Sequence, residues 1–163
     1  MKKLTIIGLM LFGFSLTSNA QEIAKNALGV RLGSNDGFGF EISYQRGLSD
    51  NNRLELDLGL RNTDNDDAFK IIGLYQWVWQ IENRFNWYVG VGGGAGSWDN
   101  NNKNHQEYED GAFFVLAGDI GIEYNFDIPL LISLDFRPEI YFGNNYRNDN
   151  YGSDIGLSLR YQF

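Results

Sequence analysis

The chain has 163 residues, enough for one domain, with 43% hydrophobic and 21% charged residues and a formal net charge of −8, an acidity that argues against nucleic acid as a partner. It contains no cysteine, which excludes a disulfide framework, a thiolate nucleophile and a thiolate metal site. Twenty glycines against two prolines, with 15% aromatic residues, suit many strands joined by tight turns.

Lys2 and Lys3 precede an apolar run from Leu4 to Leu16, which closes on Ser18-Asn19-Ala20. This is the pattern of an export signal, with cleavage expected after Ala20. The run is too short for a membrane-spanning helix, which needs roughly 20 apolar residues. Residues 1–20 are read as a signal peptide and 21–163 as the mature domain, whose charge falls to −10 with 11 basic and 21 acidic residues. No second apolar stretch has helix-spanning length, so a membrane location requires a closed barrel whose backbone groups pair between strands.

From residue 28 the apolar residues recur with period two, as in strands with one apolar face. Leu28, Val30 and Leu32 alternate with Gly29, Arg31 and Gly33; after a tight hairpin at Asn35-Asp36, Phe38, Phe40, Ile42 and Tyr44 alternate with Gly39, Glu41, Ser43 and Gln45. The third strand is the clearest, with Leu54, Leu56, Leu58 and Leu60 opposing Glu55, Asp57, Gly59 and Arg61. The fourth, roughly Ala68 to Gln80, carries Phe69, Ile71, Tyr75, Trp77 and Trp79 on its apolar face, while Ile72, Leu74 and Val78 blur the phase. The fifth, about Asn86 to Trp98, sets Trp87, Val89 and Val91 against Tyr88, Gly90, Gly92, Gly94 and Gly96. In the sixth, Phe114, Leu116, Ile120, Ile122, Tyr124 and Phe126 oppose Ala117, Asp119, Gly121, Glu123 and Asn125. The seventh places Leu130, Ile132, Leu134 and Phe136 opposite Ser133, Asp135, Arg137 and Glu139. The eighth places Ile155, Leu157, Leu159, Tyr161 and Phe163 opposite Asp154, Gly156, Ser158, Arg160 and Gln162.

Short connections at Gly47–Asn52, Ile81–Phe85 and Asp127–Pro129 alternate with polar, mostly longer ones at Asn62–Asp67, Asp99–Gly111 and Gly143–Gly152. An even strand number with short turns at one end suits a membrane barrel whose turns and termini lie in the periplasm. Residue size gives the facing. The bulky aliphatics share one phase and the small and charged residues the other, and eight strands enclose only a narrow interior that the second set fits better. The expectation is an all-β, eight-stranded, antiparallel up-and-down transmembrane barrel with its leucines toward lipid. Two aromatic belts follow: Tyr44, Trp77, Trp79, Trp87, Tyr124, Phe126, Tyr161 and Phe163 at the periplasmic ends, and Phe38, Phe69, Trp98, Phe113, Phe114, Tyr141 and Phe142 at the other.

The final strand ends on an outward-phase aromatic residue, with Leu157, Leu159, Tyr161 and Phe163 on one face. It resembles the C-terminal insertion signal of bacterial outer-membrane proteins, and that resemblance implies recognition by the barrel assembly machinery. Strand number and loop pattern across the mature chain resemble the small OmpA- and OmpX-type barrels. Gly121-Ile122-Glu123-Tyr124 and Leu134-Asp135-Phe136-Arg137-Pro138 also look like segments of uncharacterised barrels of this group. The resemblance implies a Gram-negative outer membrane and a surround of lipids. It is one of architecture and carries no motif for an activity. A monomer is expected, because closure leaves no free sheet edge.

The inward phase collects Arg31, Arg61, Arg137 and Arg160 with Glu41, Glu55, Asp57, Asp119, Glu123, Asp135 and Glu139. Buried singly, each charge would cost several kcal/mol, so a network of Arg–carboxylate pairs is expected, some of them bidentate. A salt-bridged plug is favoured over an ion-conducting lumen. Elsewhere the signals are weak. His105 is the single histidine and has only loop neighbours, which gives no acid–base constellation for an enzyme. Asp64, Asp66 and Asp67, and Glu107, Glu109 and Asp110, offer oxygen ligands of the kind Ca²⁺ takes, without the spacing of a known calcium loop. The glycines at 90, 92, 93, 94 and 96 precede no helix and so form no phosphate loop; they are expected to make room for neighbours or bend the wall. No cofactor is expected. The function expected is a non-enzymatic barrel serving envelope integrity or surface contacts through its loops. A narrow channel or small-ligand carrier is the alternative, and a soluble periplasmic binder of lipocalin type a third.

Overall fold

The period-two alternation resolves into eight strands: β1 (Asn26–Gly33), β2 (Phe40–Ser49), β3 (Asn52–Asn62), β4 (Asp66–Glu82), β5 (Phe85–Asn100), β6 (Asp110–Asn125), β7 (Leu130–Gly143) and β8 (Tyr151–Gln162). This computed structural model describes residues 23–33, 39–62, 66–100, 110–143 and 150–163. The export segment, the Asn35-Asp36 hairpin, Phe38, Asp64, His105, Glu107 and Glu109 lie outside the described residues, as do the side chains of Arg61, Asp66 and Asp110.

Each strand runs antiparallel to the next, and β8 pairs with β1, closing the barrel in sequence order. Following Cα partners round the wall from Leu28 through Tyr44, Leu56, Gly73, Gly93, Leu116 and Ile140 arrives at Tyr151, yet Leu28 itself pairs with Tyr161, ten residues further along β8. With ordinary strand spacings, a shear of ten over eight strands means a tilt of about 40° and a backbone radius of about 8 Å. A tilt of that size is usual for membrane barrels.

Three tight turns share one end of the wall with the start of β1 and the end of β8. The turn between β4 and β5 places Asn83 at φ 45, a left-handed conformation that asparagine tolerates better than most residues. In the wall itself, β5 is lined inside by glycine. A Cβ on Gly92 would run into the carbonyl oxygen of Gly73, and one on Gly94 into that of Ile71. The close approach of β4 carbonyls to β5 therefore requires residues with no side chain there, and Gly121 likewise leaves room for the Tyr88 ring.

The facing is inverted relative to a soluble barrel. Leu28, Leu32, Leu60, Val91, Leu116, Ile120, Leu134, Ile155 and Leu157 are exposed on the outer wall. The charged phase is enclosed, and the largest fully buried side chains begin with Arg31, Arg53, Arg137 and Arg160. At the turn end the rings pack in pairs outside the barrel: Trp79 stacks on Trp87 at 4.7 Å, Phe85 meets Tyr124 at 4.8 Å and Tyr75 meets Trp77 at 4.9 Å.

The opposite belt differs from expectation. Phe69, Phe114 and Phe142 point outward, joined by Phe40 and Tyr151. Phe113 and Tyr141 are instead buried inside, with rings 5.6 Å apart, and Trp98 packs on the same interior cluster. Their phase decides this, since Phe113 shares parity with Val115 and Ala117, which also point inward. In β4 the phase is in fact clean. Ile72, Leu74 and Val78 face in while Phe69, Ile71, Tyr75, Trp77 and Trp79 face out; it looks blurred because both faces are apolar.

Candidate functional site

The chemistry of the molecule is concentrated inside the wall, where inward positions of β1, β2, β3, β7 and β8 converge. Arg31 on β1 reaches three acids: Nη1 lies 3.0 Å from Glu41 and 2.7 Å from Asp154, and Nη2 lies 2.5 Å from Asp135. Its Nε also donates to Asp135 Oδ2 at 3.3 Å while Nη2 bonds Oδ1, so that pair is bidentate. The guanidinium lies against Gly156, where a Cβ would collide with it.

Arg137 on β7 crosses the interior to β2 and β3, with Nη1 3.4 Å from Glu41 and Nη2 3.2 Å from Glu55 and 2.5 Å from Asp57. Arg160 on β8 lies 3.1 Å from Glu55 and donates at 2.9 Å to the hydroxyls of both Ser43 and Ser133. Glu55 thus serves two arginines, and Gln45 donates to it as well at 2.6 Å. Glu139 accepts from the Tyr141 hydroxyl and lies 3.4 Å from Lys70, which is itself 3.6 Å from Glu41. Toward the turns, Arg53 lies 2.7 Å from Glu123, donates to Gln76 at 2.6 Å and sits 4.8 Å over the Tyr88 ring. Asp119 accepts from Gln76 at 2.5 Å.

Of the expected interior residues, Arg31, Glu41, Glu55, Asp57, Asp119, Glu123, Asp135, Arg137, Glu139 and Arg160 are all buried inside. Arg61 lies in β3 opposite Ala68, and its side chain is outside those described. Sequence reasoning missed Arg53 and Lys70, both buried and both paired. Parity would have found them, since Arg53 continues the Glu55–Asp57 phase and Lys70 the Ile72–Leu74 phase. Leu157, Leu159, Tyr161 and Phe163 are exposed along one outer stripe.

Chemically the interior is a set of shared guanidinium–carboxylate bonds with an apolar lid. Ile72, Leu74, Phe113, Val115, Ala117 and Tyr141 form one buried cluster against it, with Ala68 and Trp98 packed alongside. Among the described residues no group of three or more His, Cys, Asp or Glu side chains could hold a metal ion.

No protein-family model and no curated protein sequence matches the chain. Solved structures do. The N-terminal β-barrel domain of Pseudomonas aeruginosa OprF superposes with a TM-score of 0.65 at 13% identity, covering 85% of this chain and 96% of that one. Neisserial surface protein A matches with a TM-score of 0.62 at 11% identity, covering 85% of this chain and 94% of that one. Ail, the attachment invasion locus protein of Yersinia pestis, matches with 0.56 at 15% identity over 85% and 96%. With its inverted facing and closed ring, the chain has the fold of the small eight-stranded outer-membrane barrels.

Proposed function

We propose that the protein is an outer-membrane barrel, exported by residues 1–20, that works without catalysis as a rigid scaffold for envelope integrity or for contacts made by its outer loops. The observation that carries this reading is the filled interior. Arginines and carboxylates interlock across it under an apolar cluster, which supports a load-bearing wall over an open lumen. The exposed aliphatic band is matched to lipid chains, with aromatic rings at headgroup depth. Monomeric behaviour follows from closure, and the outward stripe of Leu157, Leu159, Tyr161 and Phe163 suits recognition by an assembly machinery.

One neighbour, Ail, has been solved with the heparin analogue sucrose octasulfate. The acidic residues at 64, 66, 67, 107, 109 and 110 of this chain disfavour such a polyanion. Neutral or cationic surfaces fit the loops better.

The test is fractionation with gel mobility before and after boiling. Recovery in the outer membrane with a heat-dependent shift is expected; recovery in detergent-free soluble extract would remove the membrane reading. Planar-bilayer recording of refolded protein then separates scaffold from channel, and stable unitary conductance steps would favour the channel.

A further inference from the structure

At the turn end of the wall a cleft of about 510 Å³ opens to the outside, lined by Glu82, Asn83, Arg84, Phe85 and Tyr124. Its size is that of a small-molecule site. One side is aromatic: the Phe85 and Tyr124 rings lie 4.8 Å apart, and Tyr124 meets Phe126 edge-on at 4.9 Å. The other side is charged, with Glu82 and Arg84 on the same β4–β5 turn. Hydrogen bonds hold that turn in shape, since Gln80 Nε2 donates to the carbonyl of Asn83 and the Asn125 N–H donates to that of Arg84.

The polar groups suit a ligand that carries both signs of charge. Arg84 forms an ion pair with Asp127 of the β6–β7 turn, and both side chains are exposed. A guanidinium has five N–H donors in a fork, so one such pair leaves several to spare. Glu82 has no ion-pair partner among the described residues. Two carboxylates, Glu82 and Asp127, thus stand around one cation, a balance that repels a purely anionic group. An ammonium is favoured twice, by a charge-assisted hydrogen bond to the carboxylate and by the aromatic faces. The setting points to lipid as its source. Phe85, Ile81, Ile122 and Phe126 are exposed on the outer wall around the cleft, and Ile122 and Ile120 rise from Tyr124 in the same outward phase.

We propose that this cleft binds one phospholipid headgroup with a primary ammonium and a phosphodiester, as in phosphatidylethanolamine. The ammonium donates to Glu82 against the Phe85 and Tyr124 rings, Arg84 donates to the phosphodiester oxygens, and the acyl chains run up the wall along Ile122 and Ile120. The site rests on the outer-membrane reading and adds to it a fixed lipid at the turn end. A quaternary ammonium would meet the rings but has no N–H to give to Glu82. An anionic glycerol headgroup would meet Arg84 but is repelled by both carboxylates.

Trp87, stacked on Trp79, lies two residues along β5 from Phe85 and reports on lipid bound there. The protein is refolded into phosphatidylcholine vesicles doped with the same minor fraction of dibrominated phosphatidylethanolamine, phosphatidylcholine or phosphatidylglycerol. Tryptophan quenching should show the brominated phosphatidylethanolamine enriched about two- to fivefold over the other two, the gain that one exposed cation–π contact supplies. Glu82→Gln, an exposed turn substitution, should bring the three lipids to parity, whereas Asp50→Asn on the β2–β3 turn should leave the enrichment whole. Equal quenching by the three lipids in wild type, or enrichment that survives Glu82→Gln, overturns the site and leaves the membrane reading standing. Quenching by none of them sinks both.

Discussion

The interior has two unlike regions: a charged one, where β1, β2, β3, β7 and β8 send in arginines and acids, and an apolar one built by Ile72, Leu74, Phe113, Val115, Ala117 and Tyr141 on β4, β6 and β7. Both fill space, but they fail differently. Apolar packing degrades in proportion to the volume removed. A charge network fails by partner, because deleting one member strands the others without water.

The largest expected effect is therefore at Arg137, which serves Glu41, Glu55 and Asp57 at once. Arg137→Ala should cost about 3–5 kcal/mol or prevent refolding, as measured by urea titration in vesicles; a loss below about 1 kcal/mol would mean that the network relaxes like an apolar core. The distinction sharpens at the Arg53–Glu123 pair, held at 2.7 Å. Arg53→Met alone should cost several kcal/mol, and adding Glu123→Leu should recover much of it, since removing both charges abolishes the stranded one. A double variant no better than the single one would contradict that account. The smallest effect belongs to the apolar region, where Ile72→Val should cost about 0.5–1.5 kcal/mol in the same titration.

The same contrast explains what could be read from sequence. Where the inner face is charged and the outer aliphatic, as in Leu54 to Leu60, alternation displays strand, phase and facing together. Where the inner face is apolar too, the signal cancels, and Lys70 was lost with the phase of β4. Arg53 was lost for a different reason: it is the second residue of β3, before the alternation is established. Phe113, Tyr141 and Trp98 were assigned by their height near a strand end. Height says nothing about facing, and a ring at the rim can cap the inside as readily as anchor the outside. The pairing of particular charges was not legible either, because Arg137 reaches across the interior from β7 to carboxylates on β2 and β3.

The seam of the ring is made by the two strands furthest apart in the chain, and Asn26 and Phe163 exchange backbone hydrogen bonds there at 3.0 and 2.9 Å. Until β8 is in place the sheet thus has two raw margins, each able to template mispairing with another chain. Such a wall completes itself late and all at once, through the most sequence-distant contact it possesses.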